Sequence, residues 1–331
     1  MQTKHVCYAK NKICADHRVS EAGVVPRELE LKLMRVPAVA PLAALDTFLH
    51  SSSQRKVRRR DEALHRRRLT STGFKVLATV RNPSKYTSPN QNITYVPLEL
   101  TSNESIRALR NQVAEITNGR LDILYNNAGR NYVVPALDYE EDELHELFQA
   151  NVFSVMRICK EFVPLLIEAK GTIVQTGSLA GLMPYAWGAP YNASKAALHA
   201  YSDTLRVELA PLGVRVVNVV TGGVKSNIAR THRTLPPNSY NQPIAADYER
   251  RLTHSQQLGM DTEQYAKSCV RQVLAGDGLI MKQRWIWEGK MSWIVWAAWS
   301  YLPTAVFDYY FTTKFKLWKL QGTVGPDKKK V

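Results

Sequence analysis

Short, densely apolar runs alternate along this chain with longer stretches whose apolar positions recur every three or four residues. Residues 74–80, 93–101, 121–125, 172–177 and 214–220 are rich in Val, Ile and Leu and hold few charges. Runs of that length and composition read as strands buried on both faces of a parallel sheet. Between them, residues 105–116, 143–168 and 192–210 show helical spacing, with Pro164 expected to kink the second of these helices. The alternation predicts an α/β fold, a doubly wound, Rossmann-like parallel sheet. Residues 227–257 contain Pro236, Pro237 and Pro243 and are far longer than a usual connection, so they read as a substrate lid.

The chemistry concentrates after the fourth of these runs. Tyr191 and Lys195 stand four apart in a helical stretch and therefore share one helix face. A phenol has an ordinary pKa of about 10, so a neighbouring cation is needed to favour its ionised form, and Lys195 is placed to be that cation. Ser178 ends the strand before them, where ligands of open α/β sheets bind. A lone Tyr-x-x-x-Lys is common on exposed helices. Three further segments change that reading: Asn126-Asn127-Ala128-Gly129 closing a strand, Asn151 in a helical stretch, and Thr221-Gly222-Gly223-Val224-Lys225-Ser226 after the last strand.

In this order and spacing, residues 73–276 resemble the classical short-chain dehydrogenase/reductase family. Within it, the wording of residues 73–83 and the aromatic C-terminal region look most similar to the fungal NADPH-dependent 1-acyldihydroxyacetone-phosphate reductases. The resemblance implies Asn151, Ser178, Tyr191 and Lys195 as the catalytic set. Tyr191 would protonate a carbonyl oxygen, Ser178 would polarise it, Lys195 would assist Tyr191 and hold the cofactor ribose, and Asn151 would keep a water in a proton relay. Asn151 also reads as a hydrogen-bonded core amide. Tyr191, Lys195, Asn127, Ala128 and Gly129, with Gly222, Val224 and Ser226 at the nicotinamide end, are the implied cofactor contacts, although Thr221 replaces the family's usual Pro. Glu99 stands where the family has Asp, near the adenine. Arg81 follows the second strand of such a fold, where a guanidinium suits the 2′-phosphate of NADPH; its bland reading is a solvated surface Arg.

One part of the family pattern is missing. Members begin with a strand and a Gly-rich turn that holds the cofactor pyrophosphate. Residues 1–72 contain a single glycine, Gly23, and offer no good first strand, since residues 28–36 alternate but carry Glu28, Glu30, Lys32 and Arg35. The expectation is therefore a Rossmann-like sheet whose first strand and Gly-rich turn are absent or replaced, preceded by a basic, poorly ordered segment 1–72. Either the chain was assembled around a wrong first exon, or it is a degenerate paralogue. The intact Asn151, Ser178, Tyr191 and Lys195 favour the first explanation.

Composition narrows the partners. The net charge is +15, but residues 51–70 contribute +6 and residues 314–331 contribute +5, so little of it falls on residues 73–280, the expected core. A nucleic-acid-binding core is excluded on that distribution. Cys7, Cys14, Cys159 and Cys269 lack paired metal spacing and the histidines do not cluster, so no metal is expected and a reducing compartment fits. Residues 281–331 are unusually aromatic, and residues 291–306 carry no charge. At sixteen residues that stretch is short for a membrane span of about 20, and Pro303 interrupts it. With lysines on both sides it reads as an interfacial segment or shallow hairpin on the cytosolic face of the endoplasmic reticulum or a lipid droplet. The bland reading is a buried helix packing a lid or a homo-oligomer.

The expected protein is an NADPH-dependent carbonyl reductase of a lipid-like ketone, 1-acyldihydroxyacetone phosphate by resemblance. A sterol or retinoid dehydrogenase is the rival enzyme. A cofactor-deficient pseudoenzyme or membrane-attached lipid-binding protein is the rival of another class.

Overall fold

The computed structural model describes residues 5–8, 73–87, 91–225, 233–257, 259–276 and 284–323. Seven parallel strands form one sheet in the order β3-β2-β1-β4-β5-β6-β7. They are β1 His5–Tyr8, β2 Lys75–Val80, β3 Ile93–Pro97, β4 Ile123–Asn126, β5 Thr172–Thr176, β6 Arg215–Thr221 and β7 Trp285–Glu288. The order reverses between β1 and β4, which opens a crevice at the carboxyl ends of the strands.

The first strand, expected to be absent or replaced, is supplied by β1. Its backbone pairs with β2 through His5↔Lys75 to Tyr8↔Ala78, and with β4 through Val6↔Ile123 to Tyr8↔Tyr125. Four residues with His at one end are too short a run to register as a buried strand, and pairing on both sides supplies what the pattern lacks. The position expected for a Gly-rich turn, and the basic segment through residue 72, lie outside the described residues.

The helices are α1 Asn103–Thr117, α2 Glu141–Phe148, α3 Ser154–Ala169, α4 Ala189–Leu209, α5 Ala245–Gln257, α6 Thr262–Ala275, α7 Ser292–Tyr301 and α8 Ala305–Lys314. The two faces of the sheet bury separate cores. Ile173 and Val216 face Leu109, Phe162, Leu166 and Leu198, whereas Val174 and Val217 face Tyr265, Cys269 and Val273. Neighbouring residues of one strand thus enter opposite cores, which is why the strands read as unbroken apolar runs. Cys159 and Cys269 are buried free thiols, one on each side.

The long helix expected over residues 143–168 is divided differently from the kink placed at Pro164. A π turn at Gln149–Phe153 joins α2 to α3, and Pro164 lies inside α3. One further expectation shifts at the C-terminal end: the sheet continues past residue 280, because β7 pairs with β6. Of residues 227–257, read as a lid, the described part 233–257 forms a loop, a 3-10 turn at Gln242–Ile244 and then α5. A third cluster joins Trp187, Leu235, Ile244 and Tyr248 to Phe307, Phe311 and Phe315, so α8 packs onto the body while Trp293, Trp296, Tyr301 and Tyr309 stay exposed. Among the described residues, no helix is long and apolar enough to cross a membrane.

Since β1 is paired on both sides, a proline within it removes a ladder donor from the middle of the sheet. V6P is expected to lose about 3 kcal/mol or more of stability, measured as a drop in the urea midpoint. An unchanged midpoint would show that β1 does not hold the sheet.

Candidate active site

Gly188 precedes α4 and Pro190 occupies its first turn, so the helix starts just before Tyr191. Tyr191, Lys195 and His199 then follow at intervals of four and fall on one face. Lys195 is 3% exposed, and its ammonium donates to the carbonyl oxygen of Thr176, the last residue of β5, at 2.6 Å. Burial lowers its pKa to about 8, so it is charged at neutral pH. The same nitrogen lies 5.9 Å from the centre of the Tyr191 ring. The Tyr191 phenol is raised above its usual pKa by burial, opposed by a hydrogen bond with Ser178 and by the charge of Arg251. The expected depression of Tyr191 by Lys195 is therefore not what dominates. Burial does, and it keeps the phenol protonated.

Ser178 caps the 3-10 turn Leu179–Gly181 that follows β5, with its hydroxyl accepting from the Ala180 N–H at 3.2 Å. Its own N–H donates to His199 Nε2 at 3.1 Å. His199 is 4% exposed, and its Nδ1 has no hydrogen-bond partner among the described residues. Burial first, and the Lys195 charge second, lower the His199 pKa to about 3, so the imidazole is a neutral acceptor. Gly177 and Gly181 are required by close approach: a Cβ on Gly177 would strike Asn218 and His199, and one on Gly181 would come within 2.9 Å of Ala196 N and of His199 Cε1. The sequence carried a signal for His199 in its spacing of four from Lys195.

Asn151 sits in the π turn and is fully buried. Its Oδ1 accepts from Arg130 N–H at 2.9 Å, and its Nδ2 donates to Arg130 O at 3.0 Å and to Ser194 Oγ at 2.9 Å. Both amide hydrogens are thus taken by protein atoms, so the side chain joins the loop after β4 to the catalytic-face helix. π turns recur at functional sites, and this one turns Asn151 inward. Ser194 in turn donates to Tyr191 O at 2.8 Å.

At the end of β4, Asn127 accepts from Thr176 Oγ1 at 3.4 Å, and Ala128 packs on the first core. Gly129 is placed so that an added Cβ would lie 3.2 Å from Asn151 Oδ1 and 3.6 Å from Lys195 Nζ, so a side chain would fill the cradle between them. Arg81, after β2, is largely exposed and pairs with Glu99 at 2.9 Å, which brings the two residues expected at the adenine end together. Gly222 donates to Glu288 O at 2.8 Å and leaves no room for a Cβ beside the Lys290 backbone. Its identity is therefore explained by the Gly289–Lys290 backbone just after β7. The Val224 side chain packs against the second core, and Thr221 bonds Tyr265 through their hydroxyls at 2.7 Å. Ser226 lies outside the described residues. The Gly129 backbone, the buried Lys195 ammonium and the Arg81–Glu99 pair all lie at strand carboxyl ends, so these residues fit a dinucleotide laid across the crevice.

Comparison with known proteins agrees with this geometry. The model of the short chain dehydrogenase family matches residues 65–235. The short-chain dehydrogenase cctT of Talaromyces islandicus is 40% identical over 75% of this chain and 88% of its own. An NADPH-dependent 1-acyldihydroxyacetone phosphate reductase of Saccharomyces cerevisiae is 36% identical over 64% of this chain and 70% of its own. A crystal structure of a short-chain dehydrogenase from Streptomyces avermitilis aligns with a TM-score of 0.61 over 80% of this chain and 94% of that one, at 24% identity. The chain belongs to the short-chain dehydrogenase family of oxidoreductases.

The buried neutral His199 gives a pH signature. Its folded pKa of about 3 lies below its ordinary 6.5, so between those values the unfolded chain binds more protons, and stability falls as pH falls from 6.5 toward 3. The slope from this group is at most about 1.4 kcal/mol per pH unit. H199Q, which has no ionisable ring, is expected to show a shallower loss of urea midpoint between pH 6.5 and 4.5. Equal slopes would contradict a neutral buried His199.

Proposed function

We propose that this chain is an NADPH-dependent carbonyl reductase that converts 1-acyldihydroxyacetone phosphate to 1-acylglycerol 3-phosphate. The observation that carries the reaction class is the meeting of a protonated phenol, Tyr191, with Ser178 and with the buried Lys195 at the end of β5. NADPH, when bound, supplies the hydride. Arg81, the backbone at Asn127, Ala128 and Gly129, the Gly222 turn and Lys195 are the residues that would hold it. Tyr191 gives its proton to the substrate oxygen, with Ser178 fixing that oxygen by hydrogen bonding. Lys195 favours the phenolate left behind, and His199 holds the Ser178 backbone in place. Asn151 positions the Gly129–Arg130 backbone against α4.

The acyl-ketone substrate is supported by the yeast reductase named above, and NADPH by the same relative. A different ketone is the second reading, because relatives named only as short-chain dehydrogenases match over a larger share of the chain. The aromatic faces of α7 and α8 support attachment to an endoplasmic reticulum or lipid-droplet surface from the cytosolic side. Trp293, Trp296, Tyr301 and Tyr309 are exposed there, and Trp and Tyr favour bilayer interfaces.

Wild-type enzyme is expected to oxidise NADPH with 1-acyldihydroxyacetone phosphate in preference to steroid ketones. Y191F should lose about 10²–10⁴-fold in kcat with cofactor affinity retained. The rate of reduction should hold up to a pH of about 8 and fall above it, as Lys195 loses its proton. Turnover of steroid ketones alone, or an undiminished Y191F, would refute this reading. For the surface, the W293A/W296A double variant should bind vesicles of phosphatidylcholine and phosphatidylserine at least about tenfold more weakly than wild type, given the interfacial preference of Trp. Equal sedimentation of the two proteins with vesicles would remove the membrane from the account.

A further inference from the structure

Arg251, on α5, was not singled out by the sequence and has no assigned partner in the arrangement above. It is 4% exposed. Its guanidinium carbon stands 4.1 Å from the centre of the Tyr185 ring, and its Nε and Nη1 are buried without a hydrogen-bond partner among the described residues. Tyr185 lies in the segment between Ser178 and Tyr191, so this contact sets Arg251 beside the site, where its charge favours ionisation of the Tyr191 and Tyr248 phenols against burial. Among the described residues, the charged groups around it are engaged elsewhere: Asp247 pairs with Arg250, Lys316 and Lys319, Asp138 accepts from the Ser239 hydroxyl, and Arg233 pairs with Glu143. A guanidinium taken out of water with donors unpaired is unfavourable until an anion meets it. Tyr185, which covers one face of Arg251, continues into the aromatic wall of Phe311 and Phe315, with ring centres 5.2 and 5.6 Å away.

We infer that Arg251 is the residue that binds an oxyanion of the substrate, a phosphate monoester or a carboxylate, beside the carbonyl that Tyr191 protonates. The inference rests on the ketone-reductase reading of the same site and adds to it the residue that meets the substrate's charge. A planar guanidinium suits such groups, and the tetrahedral phosphate monoester brings nearly two negative charges at neutral pH. The cation–π contact with Tyr185 holds the guanidinium while its remaining donors face the ligand. The adjoining aromatic wall gives an apolar chain somewhere to lie, so the ligand class is an anionic amphiphile.

The test is binding, which needs no turnover. The full chain is titrated calorimetrically with short-chain 1-acylglycerol 3-phosphate, with the matching 1-acylglycerol and with inorganic phosphate, all below micelle-forming concentrations. Wild type is expected to bind the phosphorylated lipid at least tenfold more tightly than the neutral one, R251M to bind both with the neutral lipid's affinity, and R251K to keep part of the preference. Wild type binding the two lipids equally, or R251M keeping the preference, would overturn the assignment. So would inorganic phosphate binding as tightly as the phosphorylated lipid, since Arg251 would then be a free-phosphate site. If R251M does not fold, the wild-type comparison and R251K still decide. Oxidation of NADPH by 1-acyldihydroxyacetone phosphate, run alongside, separates the claims: Arg251-dependent binding without turnover refutes the reductase reading and leaves the oxyanion site standing.

Discussion

The bond from the Lys195 ammonium to the carbonyl of Thr176 is the contact on which the rest of the site depends. It ties α4 to the last residue of β5, and therefore fixes Tyr191 one helical turn away and Ser178 two residues on. A charged amine with 3% exposure needs such a partner, since burial alone drives its pKa down to about 8. The carbonyl is an oriented dipole at a strand end, and it holds the charge without neutralising it. Lys195 thereby remains a cation available to Tyr191 and to whatever lies in the crevice.

Two other buried groups brace that bond. His199 accepts the Ser178 N–H one turn further along α4, and Asn151 bridges Arg130 to Ser194 from the opposite side. Each uses a side chain where a backbone ladder is interrupted, by the turn after β5 in one case and by the π turn in the other. Asn151, with both amide hydrogens taken, specifies its local geometry strongly. The glycines at 177, 181 and 129 follow from the same crowding, because the neighbours that make the site occupy the space their side chains would need.

Much of this was legible in the sequence, for a physical reason. Strands buried on both faces have to be apolar throughout, so β5 and β6 stand out, and their ends point to Ser178 and to Thr221. Tyr191 and Lys195 were legible because helical periodicity is local. β1 was not, since its four residues become a strand only through partners at residues 75–78 and 123–125, far away in the chain. Neither was Arg251, which reads as one more charged residue of a polar helix until folding brings it against Tyr185. The reason for Gly222 was equally hidden, because it is set by the backbone of Gly289 and Lys290, far downstream in the chain. Pro164 drew attention to the wrong point of the long helix, while the π turn that matters has no breaker residue to mark it.

The central claim is that these side chains still serve a bound cofactor, although the Gly-rich turn of the family is missing from the sequence of residues 1–72. Titration of the full chain with NADPH, followed by nucleotide fluorescence, tests it most directly. Saturable binding at micromolar concentration, weakened at least about tenfold in K195M as one buried charge contact is lost, is the result predicted. No saturation up to millimolar NADPH, or identical binding by wild type and K195M, would contradict it.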